Sequence, residues 1–63
     1  MPALSDIPTE YLAPEKKVSF IGWLLTTPID YGTRRALIRL WSAHTEIAFT
    51  SGEFDLITTA PEP

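Results

Sequence analysis

The chain has 63 residues, of which 44% are hydrophobic and 21% charged, and it carries a formal net charge of −3 at pH 7. This length suffices for one small domain, and the apolar fraction excludes a wholly disordered protein. The absence of cysteine excludes a disulfide scaffold and a thiolate metal site. The longest nearly apolar run, residues 18–25, is far shorter than the ~20 residues of a membrane-spanning helix.

Residues 1–13 predict an extended arm, because the prolines in and just after this segment disfavour helix in the residues that precede them. The arm is too apolar for a purely solvated tail, so we expect part of it to lie over the core or on a partner. Its large apolar residues are Leu4, Ile7, Tyr11 and Leu12. Residues 14–59 then form the folded core of a single domain, and residues 60–63 a disordered tail.

The first helix is predicted from about Pro14 to Leu25, because proline suits the first turn and Glu15 complements the helix dipole. Its apolar side chains cover an arc of about 220°, against ~100° or more for a typical surface helix. More than one face must therefore be covered, and Phe20 and Trp23 lie at the edge of the arc. Either the arm or a partner molecule would cover them. A buried strand is the alternative for so short an apolar run.

The second helix is predicted to start at Thr27-Pro28-Ile29-Asp30, with Thr27 as the N-cap and an acid three residues later. It should run to about Ala43. The predicted inward face carries Ile29, Thr33, Ala36, Leu37, Leu40, Trp41 and His44. The predicted outward face carries Tyr31, Arg35, Ile38, Arg39 and Ser42. Gly32 should lie in the first turn, where glycine costs little helix stability.

The third element has two interpretations. Thr50 and Glu53 have the spacing of a capping box, which predicts a short helix from Ser51 to Thr59. The same segment read as a turn would instead join residues 47–49 to residues 54–57 in a β-hairpin. We favour the helix.

These elements predict an all-α fold: a small three-helix domain, made of a helix-turn-helix-like pair and a short third helix, with an extended N-terminal arm. The alternative is an α+β fold of two helices and a C-terminal β-hairpin. The expected core consists of Val18, Phe20, Ile21, Leu24, Leu25, Leu37, Leu40, Trp41, Phe49, Phe54 and Ile57.

Residues suited to catalysis are few. Nucleophilic catalysis needs a serine or cysteine beside an oriented base, yet Ser42 and His44 would point about 200° apart on a helix. His44 and Glu46 have no third metal ligand near them in the sequence. No glycine-rich phosphate loop is present. We therefore expect neither an enzyme nor a bound metal or other cofactor.

All five basic residues of the chain lie between residues 16 and 39. Arginine suits bidentate contacts with phosphate or carboxylate, and arginine and tyrosine are enriched at protein interfaces. The predicted partner-binding residues are Phe20, Trp23, Tyr31, Arg34, Arg35, Ile38 and Arg39. A nucleic acid would be contacted through Lys16, Lys17, Arg34, Arg35 and Arg39.

The first functional hypothesis is a small non-enzymatic interaction protein that binds and modulates another protein, as a regulator, an inhibitor or an assembly subunit. A chain this small often needs a partner for stability, so a homo-oligomer, such as a homodimer, is a further expectation. The alternative hypothesis is a helix-turn-helix DNA-binding transcriptional regulator. The start of the sequence lacks the basic region and following apolar core of a secretory signal. We therefore expect a cytoplasmic location and no membrane partner.

Overall fold

The computed structural model describes residues 2–59, within which three short 3₁₀ turns precede three α-helices and no strand occurs. The chain is thus a small all-α domain, as predicted, and the β-hairpin alternative is wrong. The turns are Leu4–Asp6, Thr9–Tyr11 and Pro14–Lys16. The helices are α1 (Lys17–Thr26), α2 (Tyr31–Thr45) and α3 (Ser51–Thr58). None of the helices among residues 2–59 has the length and apolar character needed to cross a membrane.

The N-terminal arm folds back on the helices in three turns. The prediction of an extended arm is therefore wrong. Each of its turns is closed by a backbone hydrogen bond between residues three apart, such as Asp6 N–H to the Ala3 carbonyl at 2.9 Å. The side chain of Ile7 is only 1% exposed and belongs to the core, so the arm covers the core as expected. The predicted disordered tail, residues 60–63, lies outside the described residues.

Helix α1 buries Phe20 and Leu24, which are one turn apart. Val18 is 81% exposed and Leu25 is 43% exposed, so their assignment to the core is wrong. At 100° per residue, Leu25 lies about 100° around the helix from Leu24, away from the buried side of α1.

Helix α2 begins three residues later than predicted. The carboxylate of Asp30, not the hydroxyl of Thr27, caps the helix by accepting a hydrogen bond of 3.0 Å from the backbone N–H of Thr33. Gly32 lies in the first turn, as expected. The helix runs two residues past the predicted end and stops at Glu46, which adopts the left-handed conformation with φ 62°.

The buried stripe of α2 is also rotated from the prediction. It consists of Leu37, Ile38, Trp41 and Thr45. Ile38, expected on the outward face, is 2% exposed, whereas His44, expected inside, is exposed. The helix has apolar residues on both sides of Leu37, and the pattern alone does not decide which side meets the arm and α3.

Helix α3 forms with the predicted capping box, in which Thr50 and Glu53 each accept a hydrogen bond from the other's backbone N–H. It ends at Thr58, one residue earlier than predicted. Ile57 is fully buried, and Leu56 beside it is 68% exposed.

Trp41 is at the centre of the core. Its ring stacks on Phe20 at a centroid distance of 5.0 Å and meets the edge of Phe49 at 5.5 Å. The buried core residues are Ile7, Phe20, Leu24, Leu37, Ile38, Trp41 and Ile57. Of the other residues predicted for the core, Ile21, Leu40, Phe49 and Phe54 are partly buried and pack against this cluster.

Candidate functional site

Arg34, the first of the three arginines on α2, points inward. Its guanidinium lies 3.4 Å from the Ile57 carbonyl oxygen and 3.5 Å from the Thr27 carbonyl oxygen, close enough to donate a long hydrogen bond to each. The guanidinium carbon also lies 5.0 Å from the centre of the Tyr31 ring, a cation–π distance. Arg34 therefore ties α2 to the end of α3 and to the α1–α2 connection, and much of its charge faces the protein.

Arg35 and Arg39 are exposed on α2. They are four residues apart, which places them one above the other on the same side of the helix. The guanidinium carbon of Arg35 lies 5.2 Å from the centre of the Phe54 ring on α3. Among residues 2–59 the only ion pair is Lys17–Glu53, so neither arginine is neutralised by a carboxylate of this part of the chain.

Beside these arginines lies an open groove of about 420 Å³, which we call the α2–α3 groove. It runs between the second half of α2, the connection of residues 46–50 and the start of α3. Its floor and walls are predominantly apolar. The lining residues are Ile38, Arg39, Ser42, Ala43, Ala48, Phe49 and Phe54.

The connection that forms one wall of the α2–α3 groove is held at both of its central carbonyls. The Ser42 hydroxyl donates to the Ile47 carbonyl oxygen at 2.6 Å, and the Lys17 ammonium donates to the Ala48 carbonyl oxygen at 3.3 Å. Lys17 also lies 3.1 Å from the Glu53 carboxylate and 5.0 Å from the centre of the Phe49 ring. The backbone N–H of Thr50, and next the Lys17 ammonium, hold the pKa of Glu53 below its ordinary value. The groove is therefore pre-formed.

The two predicted binding residues on α1 do not join this groove. Phe20 is fully buried against Trp41, so its placement at an accessible edge is wrong. Trp23 is half-buried, and its ring lies 6.0 Å from that of Tyr11 in the arm. The arm therefore covers this side of α1, which is one of the two coverings that the sequence allowed.

A second cleft, of about 390 Å³, lies on the arm side of the molecule. It is lined by Pro2, Asp6, Trp23, Thr27, Ile29, Thr33 and Leu37. This cleft was not predicted, because its residues come from three segments that only the folded arm brings together. Its polar groups have local roles: Asp6 accepts from the backbone N–H of Ala3, and the Thr33 hydroxyl donates to Asp30.

Ser42 and His44 do not form a catalytic pair. The Ser42 hydroxyl is engaged by the Ile47 carbonyl, and His44 is exposed at the end of α2. No group of three or more histidine or acidic side chains within residues 2–59 is close enough to hold a metal ion.

Of the predicted binding residues, the structure brings Ile38 and Arg39 into the α2–α3 groove, with Arg35 at Phe54 beside it. Ile38 contributes to the floor and is not an exposed anchor. The groove residues Ala43 and Ala48 were not predicted to belong to a site, and Phe49 and Phe54 were assigned only to the core. The clearest available signal was two aromatic residues closely following an arginine-bearing helix.

No protein-family model, curated protein or solved structure matches this chain.

Proposed function

We propose that the chain is a small non-enzymatic interaction protein that binds another protein through the α2–α3 groove and modulates its activity or assembly. The observation that supports this is an open apolar groove bordered by two arginines that form no ion pair among residues 2–59. Aromatic residues and arginine are enriched at the centres of protein interfaces. Phe49, Phe54, Arg35 and Arg39 supply that combination on one surface.

The size of the molecule is compatible with this role. A standard interface buries about 800 Å² on each partner, which is about a fifth of the 4190 Å² of accessible surface here. The groove and the adjacent face of α2 could form the centre of such an interface.

The DNA-binding alternative has weaker support. Arg34 is engaged with carbonyls of the protein itself, which leaves two exposed arginines on α2. Protein–DNA interfaces are more polar and more positively charged than protein interfaces, whereas the surface beside these arginines is apolar and the chain has a net charge of −3.

The test compares three forms of the protein as bait in a host lysate: wild type, Ala43→Gln and His44→Gln. Ala43 lines the groove, and His44 is its exposed neighbour outside the groove. We expect a partner that wild type and His44→Gln retain and that Ala43→Gln loses. Direct binding of the purified partner must then show the same pattern. A partner bound equally by all three forms would place the interaction elsewhere and contradict the proposal.

A second variant tests the arginine side. Arg35→Glu should abolish partner binding and lower the melting temperature only slightly, because Arg35 is exposed, pairs with no carboxylate among residues 2–59 and loses only its contact with the Phe54 ring. Fluorescent duplex DNA titrated at low and moderate salt tests the alternative. Salt-dependent DNA binding that both Arg35→Glu and Arg39→Glu weaken would favour the DNA-binding regulator.

A further inference from the structure

We infer that the partner segment of the α2–α3 groove is an acidic amphipathic helix, with large apolar side chains on one face and carboxylates along one edge. This inference rests on the proposed function and specifies the chemistry of its partner.

The charge of the groove points to an acidic occupant. Arg35 and Arg39 lie one helical turn apart on the α2 side, with no ion pair to any carboxylate among residues 2–59. On the α3 side, the Glu53 carboxylate is occupied by Lys17 and by the backbone N–H of Thr50. Among the residues that line the groove, Arg39 carries the one charged side chain, so the lining is positive although the chain as a whole is negative. Complementary charge of this kind favours one class of partner and fixes its orientation.

The shape of the groove points to an occupant with bulky apolar side chains. Two phenylalanines, Phe49 and Phe54, form its walls, while Ala43 and Ala48 leave the space between them open. The resulting volume of about 420 Å³ lies within the roughly 300–1,000 Å³ of clefts that enclose ligand groups. Leucine-sized side chains of a partner would fill this space.

The backbone around the groove excludes the main alternative mode of peptide binding. An extended peptide adds to a sheet edge through backbone hydrogen bonds, and residues 2–59 contain no strand. The one non-helical wall has its Ile47 and Ala48 carbonyls engaged by Ser42 and Lys17. An apolar helix face needs no backbone partner from the groove and matches its apolar lining.

The experiment is selection of a random 16-residue peptide library displayed on phage against the wild-type protein, with Ala43→Gln as the counter-selection. We expect enrichment of sequences with apolar residues at helical spacing and flanking aspartate or glutamate. Enrichment of basic, neutral or proline-rich peptides at the groove would overturn the inference and leave the proposed function standing. Failure to enrich any groove-dependent peptide would also overturn it, while the lysate comparison decides the proposed function separately.

A charge exchange then tests the role of the arginines. The enriched acidic peptide should bind Arg35→Glu/Arg39→Glu at least about tenfold more weakly, and His44→Gln as well as it binds wild type. A peptide with lysine in place of its acids should recover binding to the double variant. Equal binding of the acidic peptide to wild type and the double variant would overturn the inference. So would a DNA duplex that displaces the acidic peptide from wild type.

Discussion

The indole Nε1 of Trp41 donates a hydrogen bond of 2.5 Å to the backbone carbonyl oxygen of Tyr11, 30 residues earlier in the chain. This bond joins the arm to the centre of α2. The Trp41 ring is fully buried and stacks on Phe20, so one side chain both fills the core and anchors the arm.

The two functions of Trp41 can be separated by substitution. Trp41→Ala should lower the free energy of unfolding by about 3–5 kcal/mol, the cost of removing a buried aromatic side chain, and should unfold so small a domain. Trp41→Phe keeps part of the packing but removes the donor to Tyr11, which costs about 1–3 kcal/mol. Chemical denaturation measures both. Trp23→Phe is the control and should cost less, because Trp23 is half-buried. A Trp41→Ala variant that melts like wild type would contradict this description of the core.

Substitution of Asp30 and of Thr27 tests which of the two residues caps α2. Asp30→Ala should lower the melting temperature, because the Asp30 carboxylate accepts hydrogen bonds from the Thr33 backbone and hydroxyl. Thr27→Ala should change it little, because the structure uses the backbone carbonyl of Thr27 as an acceptor. The reverse order of the two melting temperatures would restore Thr27 as the cap and contradict the observed start of α2.

The capping box of α3 should make stability depend on pH. The pKa of Glu53 is held below its ordinary value of 4.5, first by the Thr50 backbone N–H and then by Lys17. Because the folded pKa is the lower one, the contribution is complete above the ordinary pKa and is lost as pH falls through the folded pKa. The melting-temperature advantage of wild type over Glu53→Gln should therefore disappear on acidification. An advantage that persists in acid would exclude the ionised carboxylate as its source.

The end of α2 offers a stabilising substitution. Glu46 has φ 62°, a left-handed conformation that disfavours residues with a Cβ atom. Glu46→Gly should therefore raise the free energy of unfolding, by up to about 1 kcal/mol. Glu46→Ala is the matched control, because it removes the same carboxylate and keeps the Cβ. Equal stability of the two variants would show that the backbone conformation is not the source of the change.

The elements predicted best were those with a local chemical signal. The spacing of Thr50 and Glu53 identified α3, because both halves of a capping box lie within one helical turn. The predicted start of α2 was three residues too early, because Thr27 and Asp30 are both good capping residues and lie in the same segment. Which of the two side chains caps α2 depends on where the chain turns after α1. The local sequence pattern does not specify that turn.

The burial of individual apolar residues was predicted less well, for a different reason. Val18 and Leu25 are as apolar as Phe20 and Leu24, yet only the second pair is buried. Ile7 reaches the core from a segment without helical periodicity. The α2–α3 groove was hidden for the same reason, because it exists only where α2, its following connection and α3 meet. These outcomes depend on tertiary packing.

The hydrogen bond between Tyr11 and Trp41 also has a consequence for the order of folding. The arm is synthesised before the helix it contacts, and its docking closes a loop of 30 residues, at an entropic cost that local helix formation does not carry. Contacts of such long sequence separation form slowly compared with helical turns. We therefore expect the earliest synthesised segment to be among the last to acquire its native contacts, after α2 has formed.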